Sequence, residues 1–231
     1  MIYESDGNMN SSKLNRFIVV VTSVAIFIFW TLLFALVYSS AKSHGLSKDA
    51  CQMLGALSGV MFLLVIAIPY HKWIAPLEVG RALQRRSILP MILVVVLYLG
   101  CFGYESLTGQ PPEPWMVDFL GKSGWQMFLA LVSSLVLAPI GEEILFRGIL
   151  LNMFGSSRTW ILGIGVVLVA LFFAWTHTQY QSTSTVALLF ALSVVFSWAR
   201  LRSGGLLLPV LLHSLASVLG IVVGWIQVSI L

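Results

Sequence analysis

The sequence predicts an all-α protein, a polytopic membrane bundle of about seven transmembrane helices. Three observations lead there. The 231 residues are 58% hydrophobic and 10% charged, whereas a soluble domain carries roughly 25% charged residues. Apolar stretches near the length of a bilayer crossing, about 20 residues, recur along the chain. Polar residues, glycines and prolines collect between them, where a membrane bundle makes its connections. A net charge of +4, dispersed between apolar runs, lacks the basic face that nucleic acid requires and excludes it as a partner.

In chain order, residues 1–12 are polar and read as a disordered segment, and residues 13–231 as a single transmembrane domain. The first span, Phe17–Ser40, is too long for the apolar region of a signal peptide and is followed by no small-residue cleavage site, so it is expected to stay in the membrane. Ala50–Pro69 follows. Ile88–Phe102 is short and reads as tilted or partly re-entrant. The connection Tyr104–Gly124 holds Pro111-Pro112-Glu113-Pro114-Trp115, a stiff extended stretch that acts as an aromatic anchor or as a gate. Trp125–Leu151 is long, and Pro139 is expected to kink it. Trp160–Thr176 and the short Val186–Trp198 come next. Leu206–Leu231 is long, and a break at Gly220 or Gly224 would give an eighth helix. Tyr38, Tyr70, Trp73, Trp125, Trp160 and Trp198 fall near segment ends, as interfacial aromatics do. Cys51 and Cys101 have no metal-type spacing and read as packed thiols.

Orientation follows from the basic residues of the connections. Lys13, Arg16, Lys72, Arg81, Arg85, Arg86, Arg158, Arg200 and Arg202 fall on one side, and Lys42, Lys48 and Lys122 on the other, 9 against 3 with Arg147 set aside. The positive-inside rule then places the N-terminus in the cytoplasm and the protein in a cell membrane, with the bilayer as its surroundings.

Ionisable residues inside a span are costly and mark functional sites. The fourth span holds three, in Glu142-Glu143-Ile144-Leu145-Phe146-Arg147. Glu143 and Arg147 are four apart and share a face, with Glu on the N-terminal side, the better order for an ion pair. Arg147 keeps its proton and needs a partner at this depth, so Glu143 is read as its structural counterpart. Glu142, rotated by about 100°, is left as the free carboxylate able to act as general base. The competing reading is a helix end in cytoplasmic water. Phe173 and His177 share a face of the fifth span, the ring drying and restricting the imidazole; the alternative is an interfacial histidine. His213 and Ser217 lie one turn apart in the seventh. There Ser217 orients the imidazole, donates to an oxyanion or bonds back to its own helix. A carboxylate and two imidazoles on three spans suit hydrolysis by either of two routes. One is a metal-bound water, with a divalent ion such as zinc held by Glu142, His177 and His213. In the other, Glu142 and His177 activate water directly while His213 and Ser217 stabilise the oxyanion.

At these residues the chain resembles the CPBP family of intramembrane proteases, which includes CAAX prenyl endopeptidases of the Rce1 type and bacterial Abi-type proteins. The family pattern is Glu-Glu-x-x-x-Arg, then Phe-x-x-x-His, then His-x-x-x-Asn or Asp. Here these are Glu142–Arg147, Phe173-Ala174-Trp175-Thr176-His177 and His213-Ser214-Leu215-Ala216-Ser217, the last with Ser where the family has Asn or Asp. Arg200-Leu201-Arg202-Ser203-Gly204-Gly205-Leu206 followed by Pro209 also resembles the approach to the third motif, and the likeness covers roughly Trp125–Gly220. The resemblance implies an all-helical fold with a cavity open to the membrane. It also implies endopeptidase action on a membrane-tethered or lipidated peptide or protein, with Glu142 as base, His177 and His213 in the site, and Glu143, Arg147, Phe173 and Ser217 in support. The alternatives are a non-catalytic immunity or scaffold protein of the same fold and, third, a proton-coupled transporter, for which no inverted repeat is evident. One tension follows from the spans: His177 falls near the outer end of its helix, while Glu142 and His213 fall nearer the inner side.

Overall fold

A computed structural model describes residues 5–82, 84–155 and 158–230. All regular structure among these residues is helical, with no strand. Seven helices are long and apolar enough to cross a membrane: Asn15–Ser43, Lys48–Trp73, Ile88–Thr108, Gly124–Phe154, Thr159–Thr176, Thr183–Ser203 and Leu207–Ser229. Each coincides with a span expected from the sequence.

Helix α1 (Ser5–Ser43) packs on α2 (Lys48–Trp73). Residues 5–12 of the polar segment, expected to be disordered, continue α1, because adding turns to a helix already nucleated by a long apolar run costs little; residues 1–4 lie outside the described residues. Helix α3 (Ile88–Thr108) and helix α8 (Thr183–Ser203) each reach 21 residues, so neither short segment is re-entrant. The polar turns omitted from the sequence reading stay helical because they satisfy one another. Glu105 of α3 accepts from Ser184 of α8 and from Gln227 at 2.8 Å.

The connection after α3 contains a helix rather than only an extended stretch. Helix α4 (Pro114–Leu120) begins with Pro114 in its first turn, where a missing N–H costs nothing. The fourth span is composite. Helix α5 (Gly124–Val132) passes through a π-helical segment, Ser133–Leu137, into helix α6 (Ala138–Glu142). A second π-helical segment, Glu143–Leu150, and a 3-10 turn, Leu151–Phe154, complete it. The wide turns show in their i to i+5 bonds, Ala138 N–H to Ser133 O and Leu151 N–H to Phe146 O. Pro139 explains the first. A proline cannot donate to the carbonyl four residues back, here Leu135 O, and Ser214 Oγ donates to that carbonyl instead at 2.9 Å. Near the end of the second, Ile149 O accepts from Ser23 Oγ at 3.2 Å and Tyr70 Oη at 3.4 Å. Neighbouring helices thus complete the backbone bonding that wide turns disturb.

Helix α7 (Thr159–Thr176) leads through a short connection to α8, and helix α9 (Leu207–Ile230) closes the chain. Helix α9 runs unbroken through Gly220 and Gly224, so no eighth spanning helix arises there. Those glycines serve close packing: a Cβ at Gly220 would lie 3.2 Å from Tyr98 Oη, and one at Gly224 would lie 2.3 Å from Met116 Cγ of α4.

The two ends of the bundle differ. At one end, residues 75–82 lie across the turn between α8 and α9. There Leu206 and Leu207 N–H donate to Glu78 O and Val79 O at 3.0 and 2.9 Å. Only glycine fits this crossing: Gly80 has φ +70°, and a Cβ on Gly205 would come within 2.3 Å of Gly80 N. Arg200 donates to Asn152 Oδ1 and Asn152 donates to Pro76 O, tying the same end together. Beneath it, Leu145, Ile149, Leu151, Leu63 and Phe173 form a solid core. The opposite end carries α4 and the loop 177–182, and lies over a cavity.

Candidate functional site

The second π-helical segment fixes Glu143 and Arg147, both with no solvent exposure. Arg147 Nη1 donates to Glu143 Oε1 at 2.9 Å, and Nη2 donates to Ser193 Oγ and O at 2.7 and 3.2 Å. The rings of Phe173, Phe196 and Phe146 surround its guanidinium at 4.6, 5.2 and 5.9 Å. A buried cation needs such partners, and aromatic faces supply part of them.

Glu143 has a second task. Its Oε1 accepts from His213 Nδ1 at 2.8 Å. The carboxylate can only accept, so Nδ1 of His213 carries a proton and Nε2 is turned away from Glu143. His177 is fixed in the same way, since its Nδ1 donates to Phe173 O at 2.7 Å, a carbonyl four residues back. Its ring lies against Phe173, with centroids 4.4 Å apart.

The two Nε2 atoms meet at Glu142. His177 Nε2 is 3.6 Å and His213 Nε2 is 3.9 Å from Glu142 Oε2, an oxygen that is buried and without a hydrogen-bond partner. These separations exceed a hydrogen bond and match groups that address a common molecule between them. Glu142, His177 and His213 all line a cavity of about 650 Å³, with Ser217, Tyr180, Tyr98 and Ser133. Glu143 is locked in the core and Glu142 faces the cavity.

The tension over depth is resolved by the length of α7. It has 18 residues, and at about 1.5 Å each falls short of a hydrocarbon layer of about 30 Å. His177 caps its end beneath α4 rather than at the surface. Glu113 holds the loop that follows by accepting from Gln181 and Ser182 N–H at 3.0 and 2.9 Å. Lys122 pairs with Asp49 at 3.2 Å and Asp118 at 2.9 Å, tying α4 to α2. The hydrogen bond from Lys122 holds Asp118 below the usual carboxylate range.

Ser217 lines the cavity one turn beyond His213 without a hydrogen bond to that imidazole or to its own helix. Three residues escaped the sequence reading. Ser193 receives Arg147, and Ser214 fixes α9 beside His213. Tyr180 stacks on His177 with centroids 6.3 Å apart and packs on Trp115. Burial, then the charge of Glu142, push the Tyr180 phenol upward, so it remains a donor. Tyr180 is three residues from His177, and that proximity was the only signal available. Among the described residues no group of three or more His, Cys, Asp or Glu side chains has a spacing that could hold a metal ion.

Residues 124–225, which contain all three motifs, match the family model described as type II CAAX prenyl endopeptidase Rce1-like. An uncharacterized 24.3 kDa protein of Escherichia coli is 41% identical over 167 residues, covering 71% of this chain and 77% of that protein. No solved structure matches the chain.

Proposed function

We propose that this chain, which belongs to the type II CAAX prenyl endopeptidase Rce1-like family, is an intramembrane endopeptidase acting on membrane-tethered or lipidated peptides or proteins. The observation that carries this reading is the convergence of His177 Nε2 and His213 Nε2 on Glu142 Oε2, at 3.6 and 3.9 Å, in the wall of a cavity. A water between these three acceptors can donate its two O–H groups to two of them, and Glu142 Oε2, which has no other partner, is one.

In this mechanism Glu142 takes a proton from the water as its oxygen bonds to the peptide carbonyl carbon. The carbonyl electrons move to oxygen, and the hydroxyls of Ser217 and Tyr180 are the donors available to that oxyanion. Glu142 then hands the proton it took from the water to His213 Nε2, 3.9 Å away, and the imidazolium so formed delivers it to the departing amine as the C–N bond breaks. The Glu143 carboxylate at its Nδ1 favours the imidazolium formed on the way, the service an aspartate performs in a catalytic triad. Phe173 O holds His177 so that its Nε2 faces the same water. These steps use only side chains and water, and added chelator is expected to leave the rate unchanged.

The chain is an integral membrane protein. We place it in a cytoplasmic membrane with its N-terminus inside, on the bias of its basic residues. The decisive experiment compares new peptide N-termini in membranes of cells expressing wild type or Glu142→Ala at equal levels. Termini found only with wild type are expected; identical sets across growth conditions would overturn the proteolytic reading in favour of a non-catalytic protein of the same fold.

A further inference from the structure

The cavity wall is assembled from one half of the bundle. Its lining residues come from the membrane-embedded middle or from the end that carries Lys48, Asp49, Trp115, Asp118 and Lys122. None of the described residues of the connections 74–87, 151–158 or 204–206 at the other end lines it. That other end is sealed twice, by the buried core around Leu145, Ile149 and Leu151 and by the backbone crossing of residues 75–82 over the α8–α9 turn.

Charge divides along the same axis. Arg16, Lys72, Arg81, Arg85, Arg158, Arg200 and Arg202 belong to the sealed end. The open end carries three basic residues, Lys42, Lys48 and Lys122; Lys122 pairs with Asp49 and Asp118, and Glu105 and Glu113 add negative charge. An excess of Lys and Arg marks the cytoplasmic end of a membrane bundle. We infer that the cavity over Glu142 opens on the extracytoplasmic face, so that the substrate is a translocated peptide held at the outer leaflet by a transmembrane segment or by a lipid attached on that side. A peptide lipidated in the cytosol would present its scissile bond to the sealed end. The substrate class rests on the proteolytic reading above; the direction of opening does not.

The test uses the full chain with Cys51→Ser and Cys101→Ser and one new cysteine at a time. Gln52 is exposed and lines the cavity, Val117 lies exposed on α4, and Arg85 is exposed at the sealed end. Intact spheroplasts are treated with a membrane-impermeant maleimide before and after permeabilisation. The expected result is labelling of Gln52→Cys and Val117→Cys from outside, and of Arg85→Cys only after permeabilisation. The reverse pattern, or labelling of all three from outside, overturns the inference. The Glu142-dependent termini separate the two readings. Termini in extracytoplasmic segments support both, and termini in cytoplasmic segments overturn the inference while sparing the hydrolysis. Outward labelling with no such termini overturns the hydrolysis, and the substrate class with it.

Discussion

Arg147 has no contact with water, and its guanidinium is tolerated only while Glu143 faces it. Glu143→Ala is therefore expected to destabilise the protein by about 3–5 kcal/mol, the usual effect of removing one partner from a buried ion pair. Thermal unfolding in detergent would register this, along with loss of activity as His213 loses its Nδ1 acceptor. Glu142→Ala should behave oppositely, keeping the melting temperature while cleavage falls by at least about 100-fold. A stable, inactive Glu143→Ala would contradict the role given to that pair. At this scale the sequence was highly informative about charge and nearly silent about hydroxyls. Glu142, Glu143 and Arg147 stand out because ions are rare among apolar neighbours. Ser193 and Ser214 do not, because a serine in a spanning helix looks the same whether it bonds to its own backbone or to another helix.

The fourth span shows what a helix gains from giving up regular α geometry. Its π-helical segments surround Glu142 and present Glu143 and Arg147 to the core, in keeping with the frequent occurrence of such turns at functional sites. Each leaves a backbone carbonyl to a neighbour, and Leu135 O is received by Ser214, next to His213. Ser214→Ala is expected to lower stability by about 1 kcal/mol and to reduce kcat more than that loss of fold explains, since α9 would no longer be held in register with Glu142. Equal losses in folded fraction and in activity would reduce Ser214 to a structural role. Pro139 announced a disturbance in the sequence, but not its form, because the wide turn depends on a hydroxyl 75 positions later in the chain. Likewise the brevity of α7 was visible, while its meaning, a histidine sunk beneath α4, depended on Glu113 gripping the loop beyond it.

At the scale of the molecule, one end is stitched shut and the other is latched by charge. Gly205→Ala places a Cβ against the backbone of Gly80 and should cost about 1–3 kcal/mol, lowering the melting temperature with kcat of the folded fraction unchanged. Lys122→Ala releases α4 from Asp49 and should raise KM with little change in melting temperature, because it alters the mouth and not the core. Steady-state kinetics beside thermal melts would separate the two. The seven spans were legible because apolar length alone defines a crossing, and the bias of basic residues told the ends apart, whereas the sealing of one end was not legible, since it comes from contacts between connections remote in sequence. The bond of Arg147 to Glu143 within a single helix also bears on how the chain is made. During synthesis the fourth span leaves the ribosome before Ser193 and His213 exist, so the translocon must release into lipid a segment whose later partners are still untranslated. A lone arginine at a helix centre costs about 2.5–3.5 kcal/mol on insertion scales. By carrying its counter-ion four residues away, the segment enters the bilayer with its arginine already paired and waits there for the helices that complete it.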